Sequence, residues 1–377
     1  MWPDAQEIAG SKNRVVTMAD ELQARVSRVS VYPVEEYDAY VASHPLATPY
    51  HYSCWLKAVE RAYRHTGWLV TVHRGSTLCG VLPLVEIKTP VGRSNLISLP
   101  FCDLAGVLAD DCDVRHLLLA EAQSLADTNR AGWLEIRQGG AALEELDLKS
   151  VSGSPKVRML SSLPGDANAL FQSFKPKLRS QIRKAEKNGL TSEVRKDLDA
   201  VEQFYNVFAW NMRRLGSPVH SRAWFRELKQ AYGDQMLVGL VFLDDQPVGA
   251  GIVLMAGSKA CIPWASTLEK YNRLAPNMLL YWALLSHVCE RGCTSFDYGR
   301  STLGEGTYRF KKQWGAKPYE LVWSKWQVEE RVESEPERSG HQSGVSRLRP
   351  IAEEIWRRLP LAVANWIGPK LRRYITL

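Results

Sequence analysis

The chain has 377 residues, 45% of them hydrophobic and 24% charged, with a formal net charge of +7. That balance excludes a disordered polar chain and leaves room for about two domains at ~150 residues each. Seven cysteines without a CxxC pair and eight histidines without an HExxH motif speak against a disulfide framework or zinc site and for a reducing, cytosolic compartment.

The opening, MWPDAQEIAGSKNRVVTMAD, lacks a basic stretch followed by an apolar one, so no secretory signal is expected. No run reaches the ~18 consecutive apolar residues of a membrane span. Residues 1–29 are polar without a period and read as a flexible N-terminal arm. Residues 69–87, LVTVHRGSTLCGVLPLVEI, then give two apolar strands around a Gly75–Ser76 turn. A helix is predicted over 115–127, RHLLLAEAQSLAD, and a strand over 133–137, WLEIR.

The second half repeats that order. A hairpin around Asp244 and Asp245 (236–256) is followed by a strand at 259–265, a helix from Asn277 to about Arg291, and the strand FDYG. The repeat predicts two copies of one α/β unit. Helix 277–291 is apolar almost all round, so it should lie buried on a sheet, its N-terminus a seat for an anion.

Between the copies, residues 175–187 carry Leu178, Ile182 and Ala185 on one face and Lys177, Arg179, Arg183, Lys184 and Lys187 on the other. Such a helix suits RNA, anionic lipid or a phosphorylated substrate, and equally a solvated face. A further helix is read over 199–215. Residues 329–347 read as a linker, and the basic-apolar tail 348–377, divided by Pro360 and Pro369, either lies on a membrane surface or docks on the body.

The segment FDYGRSTLGEGTYRFKKQWG, residues 296–315, contains GxxxxG from Gly299 to Gly304, but Glu305 stands where a P-loop needs lysine. A nucleotide hydrolase is thereby excluded. Aromatics alternating with basic residues leave an RNA surface as a minor reading. The meander–helix–strand order fits acyl transfer better, a chemistry that needs a deprotonated amine, an activated carbonyl and donors for the oxyanion, with no metal and no covalent residue.

FDYGRSTLGEGTYRFKKQWGAKP, with NMLLYWALL before it, ISLPFCDLAGVL in the first half and the closing RLPLAVANWIGPKLRRYI, resembles the FemAB-like proteins associated with exosortase and PEP-CTERM systems, within the GNAT-like acyltransferases. The resemblance spans roughly residues 30–377. It implies an α/β (α+β layered) fold of two tandem GNAT-like domains with mixed, largely antiparallel sheets flanked by helices, at 30–150 and 151–328. It implies an acyl or aminoacyl group transferred to an amine in envelope or exopolysaccharide metabolism. The donor would be acyl-CoA or aminoacyl-tRNA, with no tightly bound cofactor. The rivals are an acyl-CoA-dependent N-acetyltransferase acting on a sugar or polysaccharide precursor and a non-catalytic scaffold of an export system. The expected location is the cytoplasm, with the tail as a contact to the inner face of the membrane; oligomeric state is left open.

On the matching segment the resemblance places Arg300, Ser301, Gly306, Tyr308, Lys311 and Lys312 at the cleft. Arg300 would clamp a carboxylate or phosphate, Lys311 or Lys312 would neutralise phosphate or oxyanion charge, and Tyr308 would stand with Lys311 among the catalytic groups. Asp297 is the general-base candidate, an aspartate ending a strand serving equally as an anchor. Asn277 and Tyr281, at the helix start, would face the donor. His220, in the loop GSPVHS, is either an acid-base group or a surface histidine. The pyrophosphate signature of ordinary acetyl-CoA binders is absent from KYNRLAPN, residues 270–277.

Overall fold

The structure, a computed structural model, describes residues 21–90, 92–143, 155–327 and 342–376. Most of the linker read at 329–347 therefore lies outside the described residues, as do residues 1–20.

The expected hairpin forms from β2 (Thr66–Arg74) and β3 (Thr77–Ile87). Ahead of it, β1 (Leu22–Arg28) pairs with β2 along its whole length, so this stretch of the expected flexible arm is an edge strand instead. Alternation of Leu22, Ala24 and Val26 toward the sheet was its sequence signal. The first copy continues through β4 (Asn95–Ile97), β5 (Leu108–Ala109), helix α3 (Cys112–Thr128) and β6 (Trp133–Ala142). Helices α1 (Val34–Ser43) and α2 (Ser53–Tyr63) precede the hairpin.

The second copy runs from β8 (Leu190–Arg195) through β9 (Met236–Leu243), β10 (Gln246–Ala256) and β11 (Lys259–Thr267) to helix α8 (Pro276–Glu290) and β12 (Ser295–Thr302). Both copies therefore show three antiparallel strands, a fourth strand, a crossover helix and a parallel partner: β4 with β6, and β11 with β12. Glycine lets α8 sit low on its sheet, because a Cβ at Gly239 would lie 2.8 Å from Leu284.

The copies exchange strands. β7 (Lys156–Ser162) follows β6 in sequence but pairs with β12, and β13 (Lys317–Gln327) follows β12 but pairs with β6 as well as β7. One continuous sheet results, in the order β1-β2-β3-β4-β6-β13-β7-β12-β11-β10-β9-β8. A shared core locks the halves: Trp55 of α2 packs edge-on against Trp224 at 5.1 Å and stacks on Trp264 at 6.1 Å. Burial of each such side chain stabilises by roughly 1.5–3 kcal/mol.

The remaining helices are α4 (Ala167–Ser173), the basic α5 (Pro176–Lys187), α6 (Leu198–Arg214), α7 (Arg222–Tyr232), α9 (Gly306–Gln313), α10 (Gln342–Arg358) and α11 (Leu361–Arg372). α10 begins inside the expected linker, and α11 runs through Pro369, so only Pro360 divides the tail. The tail docks on the body. Trp356 and Ala364 are buried, Arg213 donates to the Leu359 carbonyl, and Thr376 is held by Phe101 and Arg137. No helix of the described residues is long and apolar enough to cross a membrane.

Candidate active site

Residues 296–315 fold as a strand, a turn and a helix. β12 carries Asp297 to Thr302, and a bulge between Asp297 and Arg300 contains Gly299, whose φ of +72° suits glycine. The turn then delivers α9, whose inward side bears Tyr308 and Lys311. Beyond Cys261 and Asp297 the parallel β11–β12 ladder ends. Asp297 thus sits where two strands part, at the seam between the copies.

Five charged groups meet there. Asp297, 4% exposed, accepts from Arg158 Nε at 2.7 Å through Oδ2 and from the Gly299 N–H at 2.7 Å through Oδ1. Asp103, from the loop after β4, accepts the Arg300 N–H at 3.0 Å and lies 3.3 Å from its guanidinium Nε. Lys311 reaches in from α9 and donates to the Arg300 carbonyl at 2.8 Å. Burial pushes the Lys311 ammonium down to about 8, against the opposing pull of Asp103 and Asp297. Trp323 of β13 lies between two arginines, 4.7 Å from Arg137 and 5.1 Å from Arg300, and donates its indole N–H to the Asp103 carbonyl.

Two cavities open on this cluster. One of ≈ 240 Å³ is lined by Asp297, Arg158, Lys259, His51, Gln138 and Tyr319. The other, ≈ 330 Å³, is lined by Arg300, Trp323, Lys156 and Glu320. A buried ammonium and two arginines at this seam can bind anionic groups and stabilise an oxyanion. Among the described residues no group of histidine, cysteine and carboxylate side chains is placed to hold a metal.

Of the residues named from sequence, the structure brings together Asp297, Arg300 and Lys311. Ser301 follows on β12, buried, with its hydroxyl unpartnered. Gly306 opens α9, and the Lys312 ammonium lies over the Tyr308 ring at 5.9 Å. Tyr308 and Tyr281 are core residues. Tyr281 is stacked on Tyr298 at 6.1 Å and on Trp314 at 5.9 Å, so it packs α8 instead of facing a donor. Asn277 occupies the first turn of α8, partly exposed.

His220 is neither on the surface nor at the seam cluster. It is 1% exposed in a cage of Trp224, Phe101 and Trp264. Arg372 donates to its Nε2 at 3.1 Å, so Nδ1 carries the proton toward the Tyr63 oxygen 2.7 Å away. Burial drives its pKa well below the ordinary value, with Arg372 adding to the shift. An imidazole so held is a neutral structural group.

Asp103, Arg158 and Trp323 escaped sequence reading. Arg158 had a signal, a charge alternating with the buried Val157 and Met159. Asp103 had none beyond its place in ISLPFCDLAGVL.

Comparison with known proteins follows the same lines. The acetyltransferase (GNAT) domain family matches residues 172–312, a span that ends on the α9 lysines. Lipid II:glycine glycyltransferase of Staphylococcus saprophyticus is 21% identical, over 74% of this chain and 88% of that protein. Its Staphylococcus aureus counterpart is 22% identical over the same shares. Among solved structures, FemX superposes with a TM-score of 0.64 at 16% identity, covering 81% of this chain and 97% of FemX. A tandem GNAT protein from the clavulanic acid biosynthesis pathway gives 0.53 at 15% identity, covering 81% and 98%. The two tandem copies seen in the sheet are therefore the GNAT fold used twice.

Proposed function

We propose that this chain, a FemAB-like acyltransferase of the GNAT fold, forms an amide by moving an aminoacyl or acyl group from a phosphate-bearing carrier to an amine in cell-envelope metabolism. The observation that carries the proposal is Lys311, a buried ammonium fixed on the Arg300 carbonyl beside two carboxylates and two arginines. The amine attacks the activated carbonyl, the oxyanion forms near the Lys311 ammonium, and collapse expels the carrier's oxygen or sulfur, which takes up the proton released by the amine. Asp297, held by Arg158 and Gly299, serves in this reading as the electrostatic anchor of the cluster and as a relay for that proton.

The similarity to lipid II:glycine glycyltransferases supports an envelope acceptor. An exopolysaccharide acceptor in an exosortase-linked system is the narrower form, resting on the sequence resemblance alone. For the donor, the basic face of α5 supports a phosphate-rich carrier: Arg179, Arg183, Lys184 and Lys187 border one shallow groove of ≈ 500 Å³. Aminoacyl-tRNA is the donor proposed. Acyl-CoA is the second reading, favoured by the GNAT match and opposed by KYNRLAPN before α8. Incubating the protein with either labelled donor and an amine acceptor, and following label into amide by mass spectrometry, tests the reading; donor turnover without any amide product contradicts it. We place the protein in the cytoplasm, where Trp366, 67% exposed beside Lys370, is the tail's best contact for the inner membrane face.

A further inference from the structure

The loop that delivers Asp103 is strained. Leu99 and Phe101, neither of them glycine, have φ of +132° and +68°, values that side chains rarely adopt and that persist only where the surroundings enforce them. The enforcing contacts converge on Arg137 of β6, 1% exposed. Its Nη1 donates to the Cys102 carbonyl at 2.8 Å and the Leu99 carbonyl at 3.3 Å, and its backbone N–H donates to the Ser98 hydroxyl at 2.7 Å. The same guanidinium donates to the carbonyl and hydroxyl oxygens of Thr376, each at 3.1 Å, while the Thr376 carbonyl accepts the Phe101 N–H at 2.7 Å. Loop, strand and tail therefore share one buried cation.

That cation stands one step behind the charged cluster. Cys102 immediately precedes Asp103, and the Asp103 carbonyl is fixed by the indole N–H of Trp323, on whose ring the Arg137 guanidinium lies at 4.7 Å. Arg137 itself makes no hydrogen bond or ion pair with Asp297, Arg300 or Lys311 and lines neither cavity. We propose that Arg137 is a positioning residue for the transfer reaction: together with Thr376 it holds the Leu99–Cys102 backbone in the conformation that sets the Asp103 carboxylate against Arg300, so that the docked tail is part of the site from outside both cavities. The proposal rests on the acyl-transfer reading. A planar guanidinium is required, because its fork reaches acceptors on loop and tail at once, which a lysine ammonium cannot reproduce.

Two measurements test it. The first is a double-mutant cycle on single-turnover transfer with Arg137→Lys, Asp103→Asn and the pair. Arg137→Lys should lower the rate about tenfold with donor affinity unchanged, and by less than about twofold in the Asp103→Asn background, where the group it positions is already gone. An unchanged rate in Arg137→Lys, or the same loss in both backgrounds, overturns the proposal. The second is backbone hydrogen exchange, which needs no activity and uses the milder Thr376→Val. Exchange should quicken at Phe101 and at Arg300, whose N–H groups bond to Thr376 and Asp103, and stay unchanged across β9 and β10. No change at Arg300, or equal loosening across β9 and β10, overturns the proposal. A wild-type protein without transfer activity sinks the acyl-transfer reading, and the exchange result then decides the positioning claim alone.

Discussion

Lys311 Nζ donates to the carbonyl oxygen of Arg300 at 2.8 Å from a position only 9% exposed, so the α9 lysine is tied to the backbone of the strand that holds Asp297. The contact joins the two parts of the 296–315 segment into one site.

Replacing Lys311 with Met should lower amide formation by about 10²–10³-fold, the usual loss when one oxyanion donor is removed. Stability at pH 7 should not fall. The folded pKa of about 8 lies below the unfolded value near 10.5, so above pH 8 the unfolded chain binds more protons and wild-type stability rises through that window. Denaturant titrations from pH 7 to 10.5 should show this rise in the wild type and lose it in Lys311→Met.

Asp103→Asn releases the Arg300 guanidinium while keeping the side chain's volume. The ion pair is partly exposed, so its stability cost should stay below about 1 kcal/mol. Activity should fall about tenfold or more, read as kcat/KM beside a nearly unchanged melting temperature.

His51 and His220 should make the protein sensitive to acid. Both are buried and neutral, with pKa values depressed from about 6.5, His51 to about 3. The unfolded chain takes up these protons first as pH falls. Stability is therefore intact above pH 6.5 and declines below it, by about 1.4 kcal/mol per pH unit for each histidine. His220→Phe should flatten part of that slope without changing the pH dependence of catalysis near neutrality.

Much of this arrangement was legible in the sequence because it follows from periodicity and turns. The hairpins at Gly75 and Asp244, the apolar α8 and the amphipathic α5 all appear with bounds close to those expected. The exchange of β7 and β13 was not legible, since strand partners between two similar halves depend on pairing across the whole chain. The same limit hid Asp103 and Arg158, which reach Arg300 and Asp297 from 197 and 139 positions away. Tyr281 and His220 were misplaced for a different reason: an aromatic or imidazole ring packs a core as readily as it lines a cleft, and residue type does not distinguish the two.

The tail offers a further check. Arg137 is 1% exposed and spends two guanidinium nitrogens on Thr376, through its carbonyl and hydroxyl oxygens. Removing residues 372–377 should cost about 3–5 kcal/mol, because a buried cation loses partners. A melting temperature unchanged by this truncation would show that the tail is not part of the folded body.

The Asp103–Asp297–Arg300–Lys311 cluster is proposed to perform amide-forming transfer from a carrier-bound donor. The most direct measurement is single-turnover transfer from aminoacyl-tRNA or acyl-CoA to an amine, compared between wild type and Lys311→Met at equal donor saturation. Amide product is expected from one of the two donors with wild type, at a rate at least about 10²-fold lower in the variant. Equal single-turnover rates in the two proteins would contradict it.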